Sequence, residues 1–199
     1  MTFGTTPRLM SAIFAGAMVC AGALALSGCI PLVVGGVAAT AAVATDRRTV
    51  GAQLDDEVIE DKSAGQVLER FKGSDVHVNI TSYNGNVLLT GEVPSENIKN
   101  EIGEIARRMP KTRSVQNDLL VGAATGLGAR SNDTLITSKV KARFVEFSQF
   151  QINHVKVVTE RGIVYLMGVV RQEEANAATE IARTTSGVQR VVKVFEYVN

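Results

Sequence analysis

Residues 78–91, VNITSYNGNVLLTG, can be laid over residues 155–168, VKVVTERGIVYLMG, at a constant offset of 77. The alignment superimposes two pairs of glycines, Gly85 on Gly162 and Gly91 on Gly168. The tetrapeptide EIAR also recurs, at residues 104–107 and 180–183. Self-similarity at a fixed spacing indicates a duplicated structural unit, here of roughly 65 residues.

Each copy predicts a β-hairpin. Asn84-Gly85 separates two β-branched or apolar runs and is a strong two-residue turn signal, because both turn positions favour positive φ. An arginine replaces the asparagine in the second copy, but Gly162 keeps the glycine. Gly91 and Gly168 end the second strand of each hairpin, where a glycine indicates a bulge or a close backbone approach.

A helix is predicted before each hairpin, because apolar residues recur there at helical spacing. The first covers residues 55–71, and its apolar face consists of Val58, Ile59, Val67, Leu68 and Phe71. The second covers residues 133–147, with Asn132 or Asp133 as its N-cap. Its core-facing residues are Ile136, Val140, Phe144 and Phe147.

A second helix and a last strand follow each hairpin. Ser95 is the predicted N-cap of the first of these helices, and the last strands cover residues 115–121 and 191–198. The order helix, strand, strand, helix, strand predicts an α+β fold in which two helices cover one face of a three-stranded mixed sheet. The chain would carry two such domains in tandem.

The N-terminus is typical of a bacterial lipoprotein signal. Arg8 precedes an uncharged run over residues 9–26, and the sequence LSGC at 26–29 has the form of a lipobox. We therefore expect cleavage before Cys29 and a diacylglycerol and an acyl chain on that cysteine. The alternative is a transmembrane anchor, since the uncharged stretch exceeds the roughly 20 residues that a spanning helix needs. Interruption by glycine and proline favours the lipoprotein.

Five parts are predicted along the chain: a signal peptide (1–28), a flexible tether (29–54), a first domain (55–121), a Gly/Ala linker (122–131) and a second domain (132–199). The linker follows a strand and precedes a helix, so a phosphate-binding loop has to be considered. Its glycine spacing fits neither common phosphate-binding pattern, which favours a simple linker.

Composition gives little support to an enzyme. The formal net charge is +1, divided between a first half of −3 (residues 46–121) and a second half of +3 (residues 122–199). Cys20 lies in the signal peptide, and His77 and His154 are far apart, so we expect neither a disulfide nor a metal site. No nucleophile stands beside a placed base. We expect no catalytic residue, no cofactor beyond the lipid on Cys29, and no nucleic-acid partner.

Three segments carry a resemblance to a known family: residues 126–141 (GLGARSNDTLITSKVK), 87–91 (VLLTG) and 164–168 (VYLMG). Each copy resembles a BON domain, and the chain from Cys29 onward is similar to the dual BON-domain outer-membrane lipoproteins. Ile30 is not the aspartate that retains many lipoproteins at the inner membrane, so resemblance to lipoproteins in general implies the outer membrane, on its periplasmic face.

The resemblance implies a non-enzymatic protein that supports outer-membrane integrity and binds anionic phospholipid through the first helix of its second domain. Family members carry an exposed tryptophan on that helix where this chain has Leu135. An interfacial aromatic is the better anchor at headgroup level, but leucine still inserts favourably beyond the headgroups.

The residues of this helix point to the same role. The predicted lipid-binding set is Leu135, Ser138, Lys139, Lys141, Ala142 and Arg143. Apolar insertion beside basic groups holds an amphipathic helix to anionic lipid such as phosphatidylglycerol, whereas the matching helix of the first copy is acidic. A solvated basic helix with one exposed leucine is the alternative. A second functional hypothesis is a scaffold that docks outer-membrane assembly proteins, with lipid only as a tether.

Overall fold

Two units with the same order of elements follow one another in the computed structural model, which describes residues 46–146 and 154–198. The first unit consists of α1 (Val50–Arg70), β1 (His77–Tyr83), β2 (Asn86–Val93), α2 (Glu96–Arg107), β3 (Ser114–Asn117) and β4 (Leu120–Val121). The second consists of α3 (Leu127–Glu146), β5 (Val155–Glu160), β6 (Ile163–Val170), α4 (Gln172–Arg183) and β7 (Arg190–Tyr197). The predicted signal peptide, Cys29 and Phe147 lie outside the described residues.

Each unit contains one mixed sheet. β1 pairs antiparallel with β2, and β3 and β4 then run parallel to β2 in one shared register. The second unit repeats this arrangement with β5, β6 and a continuous β7. The predicted α+β fold of two tandem helix-strand-strand-helix-strand domains is confirmed. Among residues 46–146 and 154–198, no helix combines the length and apolar character needed to span a membrane.

Tight turns close both hairpins, and a buried aspartate holds each turn. Asn84 and Gly85 have φ values of 53° and 74°, and Arg161 and Gly162 have 53° and 72°. In the first domain, the Asp56 carboxylate accepts hydrogen bonds from the backbone N–H groups of Asn84 and Gly85 at 2.7 and 2.8 Å. In the second, Asp133 accepts from the two equivalent N–H groups, both at 2.8 Å.

The start of α3 differs from the prediction. The helix begins at Leu127, inside the region that was predicted to be a linker up to residue 131. Asp133 is therefore not an N-cap but a buried residue within the helix, and its carboxylate serves the hairpin instead. Glycine-rich sequence is a poor helix former, which is why residues 126–129 look like a linker when they are considered alone.

The start and the face of α1 also differ from the prediction. The helix begins at Val50, because the Thr49 side chain accepts a hydrogen bond from the Ala52 N–H and caps it. The tether predicted for residues 29–54 therefore extends no further than the residues before this cap. Val58 and Leu68 are not core residues, since 46% and 74% of their surface is exposed. The buried face of α1 is formed by Asp56, Ile59, Ser63 and Val67.

The two sheets pack against each other through the faces that their own helices leave uncovered. Side chains alternate along β2 and β6, so that one set points to the helices and the other to the opposite sheet. The set between the sheets forms a cluster of its own, built from Tyr83, Leu88, Tyr165, Met167 and Val169. The two domains thus share a third core in addition to the one within each domain.

Candidate lipid-binding surface and interdomain contacts

One face of α3 exposes a row of apolar side chains. Leu127, Leu135 and Val145 are 80%, 54% and 68% exposed, and Ala142 is also exposed. At 100° per residue these four positions fall within one stripe, opposite the buried residues Ile136, Val140 and Phe144. The stripe comprising Leu127, Leu135, Ala142 and Val145 is called the α3 face below.

Ser131 and Ser138 lie within the α3 face and Thr134 lies at its edge, but their hydroxyl groups are already satisfied within the helix. Ser131, Thr134 and Ser138 each donate to the carbonyl oxygen four residues earlier, at 3.0, 3.1 and 2.9 Å. A hydroxyl that bonds its own helix needs no water partner, so moving it toward an apolar phase costs less free energy. The serines therefore do not prevent the α3 face from entering a lipid interface.

Lysines stand on both sides of the α3 face. Lys139 and Lys141 are exposed, and their positions on the helical wheel place one at each edge of the apolar stripe. Such an arrangement lets the ammonium groups reach lipid phosphates while the apolar residues enter between the headgroups.

Arg143 does not belong to this surface, contrary to the prediction. Its guanidinium is partly buried and donates to the carbonyl oxygen of Ile181 at 2.8 Å and to the hydroxyls of Thr184 and Thr185. These groups lie at the C-terminal end of α4, where a cation also meets the negative end of the helix dipole. Arg143 joins two helices of the second domain, and the exposed basic groups of the predicted set reduce to the two lysines.

Helix α1 exposes an apolar row of its own, in an acidic setting. Val50, Leu54 and Val58 recur at intervals of four residues and are 58%, 58% and 46% exposed. Glu57 and Asp61 are exposed nearby on the same helix. Negative charge at this surface repels an anionic bilayer, so the two helices differ in the partners that their charges favour.

Residues 46–48, here called the strap, cross from one domain to the other. The Arg47 guanidinium bonds both carboxylate oxygens of Glu174, at 2.5 and 2.8 Å, and the carbonyl oxygen of Val169. Arg48 pairs with Asp56 at 2.9 Å and lies 3.8 Å from the centre of the Tyr83 ring. The strap therefore belongs to the folded body rather than to the predicted flexible tether.

The ion pair of the strap gives the protein an acid-sensitive contact. Burial works to raise the pKa of Glu174, but the hydrogen bonds from Arg47 and from the Arg171 N–H outweigh it and lower the pKa from 4.5 to about 2. A carboxylate whose pKa is lower in the folded chain stabilises it above the unfolded pKa, and loses that contribution as the pH falls through the folded value. This window runs from pH 4.5 down to about 2.

We therefore expect Glu174→Gln to lower the melting temperature at neutral pH, on the order of 3 °C. The difference from the parent should shrink as the pH falls below about 4.5, because the parent then loses the same ion pair. Thermal unfolding followed by circular dichroism at a series of pH values measures this. Glu173→Gln, at the exposed neighbouring position, is the control, and equal pH profiles for both variants would contradict the role of the strap.

Three ionisable groups from the two domains meet where the sheets face each other. His77 lies opposite Glu92 in the β1–β2 register, and its Nδ1–H donates to Glu92 Oε2 at 3.0 Å. Glu160 comes from β5 and accepts from the Asn79 side chain at 2.7 Å. Sequence reasoning missed this cluster, because its members are brought together by strand pairing and by contact between the domains.

The two carboxylates of the cluster differ in their surroundings. Burial works to raise the pKa of Glu92, but hydrogen bonds from His77 and Thr125 outweigh it and hold the pKa below its usual range. Burial raises the pKa of Glu160, and the single hydrogen bond from Asn79 does not offset it. Burial of Glu160 is thus less well compensated by hydrogen bonds than burial of Glu92.

The folded units and their repeated hairpins are those of BON domains: the family matches residues 55–123 and 132–199. Outer membrane lipoprotein DolP of Haemophilus influenzae is 39% identical over 87% of this chain and 91% of its own length. The 21 kDa hemolysin of Actinobacillus pleuropneumoniae is 34% identical over 77% of this chain and 79% of its own. The chain therefore belongs to the dual BON-domain family of the DolP type.

Proposed function

We propose that this protein is anchored by lipid at Cys29 to the periplasmic face of the outer membrane. There it binds anionic phospholipid through the α3 face and supports membrane integrity, with no enzymatic step. The observation that carries the proposal is the exposed apolar stripe of α3 between two lysines. The name of the Haemophilus relative, an outer membrane lipoprotein, supports the location.

The lipid anchor changes what the α3 face has to achieve. A diacylglycerol with a further acyl chain is enough for stable attachment. Sixteen residues lie between Cys29 and Asp46, and this segment can span at most about 60 Å. The α3 face is then held near the bilayer at high effective concentration, so weak contacts suffice for occupancy. Its function is to select lipid and orient the domains rather than to provide anchorage.

The strength of the contact can be bounded. Each lysine near an anionic surface contributes on the order of 1 kcal/mol. Burying an exposed leucine side chain contributes about 2 kcal/mol at most, because part of its surface is already covered by the helix. Neither contribution alone gives measurable binding of a chain without its anchor. The α3 face should therefore bind only vesicles that offer both an apolar interior for Leu135 and a negatively charged surface for the lysines.

The test is co-sedimentation of residues 30–199, without the lipidated cysteine, with vesicles that contain or lack phosphatidylglycerol. We expect the parent to bind only the anionic vesicles and to be released by moderate salt. Leu135→Glu should weaken binding at least tenfold, because it replaces an inserting side chain with a charge that the bilayer repels. Circular dichroism checks that each variant is folded.

Leu54→Glu is the matched control, since Leu54 and Leu135 are 58% and 54% exposed and both lie on the first helix of a domain. It should bind like the parent. Equal loss in both variants would show that the α3 face has no special role. No binding by the parent would remove the lipid-binding proposal altogether.

A second candidate function is docking of outer-membrane assembly proteins, with lipid only as a tether. The exposed row Val50, Leu54 and Val58 on the acidic α1 favours this alternative, because its charge disfavours a bilayer and suits a basic protein surface. In that case Leu54→Glu, and not Leu135→Glu, should reduce recovery of assembly proteins cross-linked to the full-length chain in membranes.

A further inference from the structure

We infer that His77, Glu92 and Glu160 form a binding site for a divalent transition-metal ion, of which Zn²⁺ is the best fit, at the boundary between the two domains. Each residue offers one ligand atom, and these atoms all lie within 4.8 Å of one another. His77 and Glu92 come from the first domain and Glu160 from the second. A bound ion would therefore link the domains directly.

One carboxylate oxygen of this cluster is buried and has no hydrogen bond within the described part of the chain. The Glu92 side chain has no exposed surface, and its Oε1 accepts no hydrogen bond from any described residue. Among the described residues this oxygen forms an ion pair with the Arg161 guanidinium at 3.7 Å, which is beyond hydrogen-bond distance. A buried carboxylate oxygen left in this way is costly, and a metal ion would satisfy it.

The other oxygen of Glu92 is fully engaged and fixes the side chain. The Thr125 N–H and hydroxyl donate to Oε2 at 3.1 and 3.2 Å, beside the His77 contact at 3.0 Å. Hydrogen bonds of this kind orient a ligating carboxylate in protein metal sites. Glu92 is thus held in place at the cluster before any ion binds.

The donor set decides which ion fits. One imidazole nitrogen and two carboxylate oxygens suit Zn²⁺, whereas Ca²⁺ and Mg²⁺ prefer oxygen alone. Tetrahedral Zn²⁺ places its ligand atoms about 3.3 Å apart, so ligand atoms that lie up to 4.8 Å apart need to approach by up to about 1.5 Å. The ion would take the place of the Arg161 guanidinium beside Glu92 Oε1.

An entry path leads to the cluster. His77 and Glu160 line a cleft of about 440 Å³ that is also bounded by Asn79, Thr137 and Lys141. An ion can reach the cluster through this cleft with water still bound, and water can fill the fourth position. Because metal binding favours the folded over the unfolded state, the ion should raise the stability of the two-domain body.

The test uses the full-length lipidated protein in a non-ionic detergent, after treatment with a chelator. Isothermal titration with Zn²⁺ should give one saturable site per chain, and Zn²⁺ but not Mg²⁺ should raise the melting temperature. His77→Gln and Glu160→Gln should each weaken Zn²⁺ binding about 100-fold or more, since each removes a ligand. Glu173→Gln, at an exposed carboxylate of α4, is the control and should bind as the parent does.

Circular dichroism of the metal-free variants separates loss of a ligand from loss of the fold. Co²⁺ in place of Zn²⁺ gives a further measurement, because a tetrahedral site produces visible absorption that His77→Gln should abolish. No saturable Zn²⁺ site in the parent would overturn the proposal. So would Zn²⁺ binding that His77→Gln and Glu160→Gln leave as strong as in Glu173→Gln.

Discussion

Gly91→Ala is expected to destabilise the first domain by about 4 kcal/mol or more, among the largest effects that a single methyl group can produce. A Cβ at this position would lie 2.1 Å from the carbonyl oxygen of His77 and 2.9 Å from its carbonyl carbon. Both atoms belong to the backbone of the neighbouring strand, so no rotamer change relieves the clash. The φ of 114° adds strain for any residue with a side chain.

The second copy separates these two causes. A Cβ at Gly168 would lie 2.2 Å from the carbonyl oxygen of His154, but Gly168 is not among the glycines with positive φ. Gly168→Ala should therefore destabilise through the clash alone, and by less than Gly91→Ala. The comparison tests whether the glycine that ends the second strand of each hairpin is needed for the close approach of two strands or for its own backbone conformation.

Gly65→Ala provides the control. Gly65 lies within α1, is exposed, and a Cβ there would meet no atom within 4 Å. Alanine should stabilise this helix by about 0.5–1 kcal/mol. Urea denaturation of the three variants gives the free energies of unfolding. A Gly91→Ala variant within 1 kcal/mol of the parent would show that β1 can move away from β2 without cost.

Local signals in the sequence were enough to predict the fold. The hairpins follow from Asn84-Gly85 and its counterpart, and the duplication follows from residues that match at an offset of 77. Such signals depend on the local sequence, so they can be interpreted without knowing which residues pack against them. Fold class and order of elements were therefore predictable from the sequence.

Contacts between distant residues were not predictable in this way. Arg143 looks like a free basic group in α3, but its partners at the end of α4 are about 40 residues away. Glu92 and Glu160 are buried on the strand faces that meet between the two sheets, and a single domain would expose these faces to water. The packing of α4 against α3, and of one sheet against the other, thus determines which polar residues remain available to bind a partner.

The sequence repeat contains one signal, a pair of matching aspartates, that the spacing of apolar residues does not show. Asp56 and Asp133 match at the same offset of 77 as the hairpin residues that they contact. A carboxylate repeated on the buried face of a helix indicates a specific partner, because a charge there needs hydrogen bonds. An apolar-spacing argument assigns such a residue to the solvent side or to a cap, and so misses its structural role.

Asp56→Ala is accordingly expected to destabilise the protein by about 3 kcal/mol or more. Its carboxylate accepts from the Ser82 hydroxyl at 2.5 Å, from the Arg48 guanidinium at 2.9 Å, and from the two turn N–H groups. Alanine would leave the Gly85 N–H buried with no acceptor and would release the strap from α1. Asp133→Ala removes only the two turn contacts and should cost less.

Chemical denaturation of Asp56→Ala, Asp133→Ala and Asp61→Ala measures these differences. Asp61 is exposed on the same helix as Asp56, so its loss should change the free energy of unfolding by less than about 0.5 kcal/mol. Asp56→Asn keeps one acceptor oxygen and should lie between the parent and the alanine variant. If Asp56→Ala and Asp61→Ala lowered the free energy of unfolding by the same small amount, the turn would be held by its own residues. The aspartate shared by both repeats would then need another explanation than the closure of the hairpin.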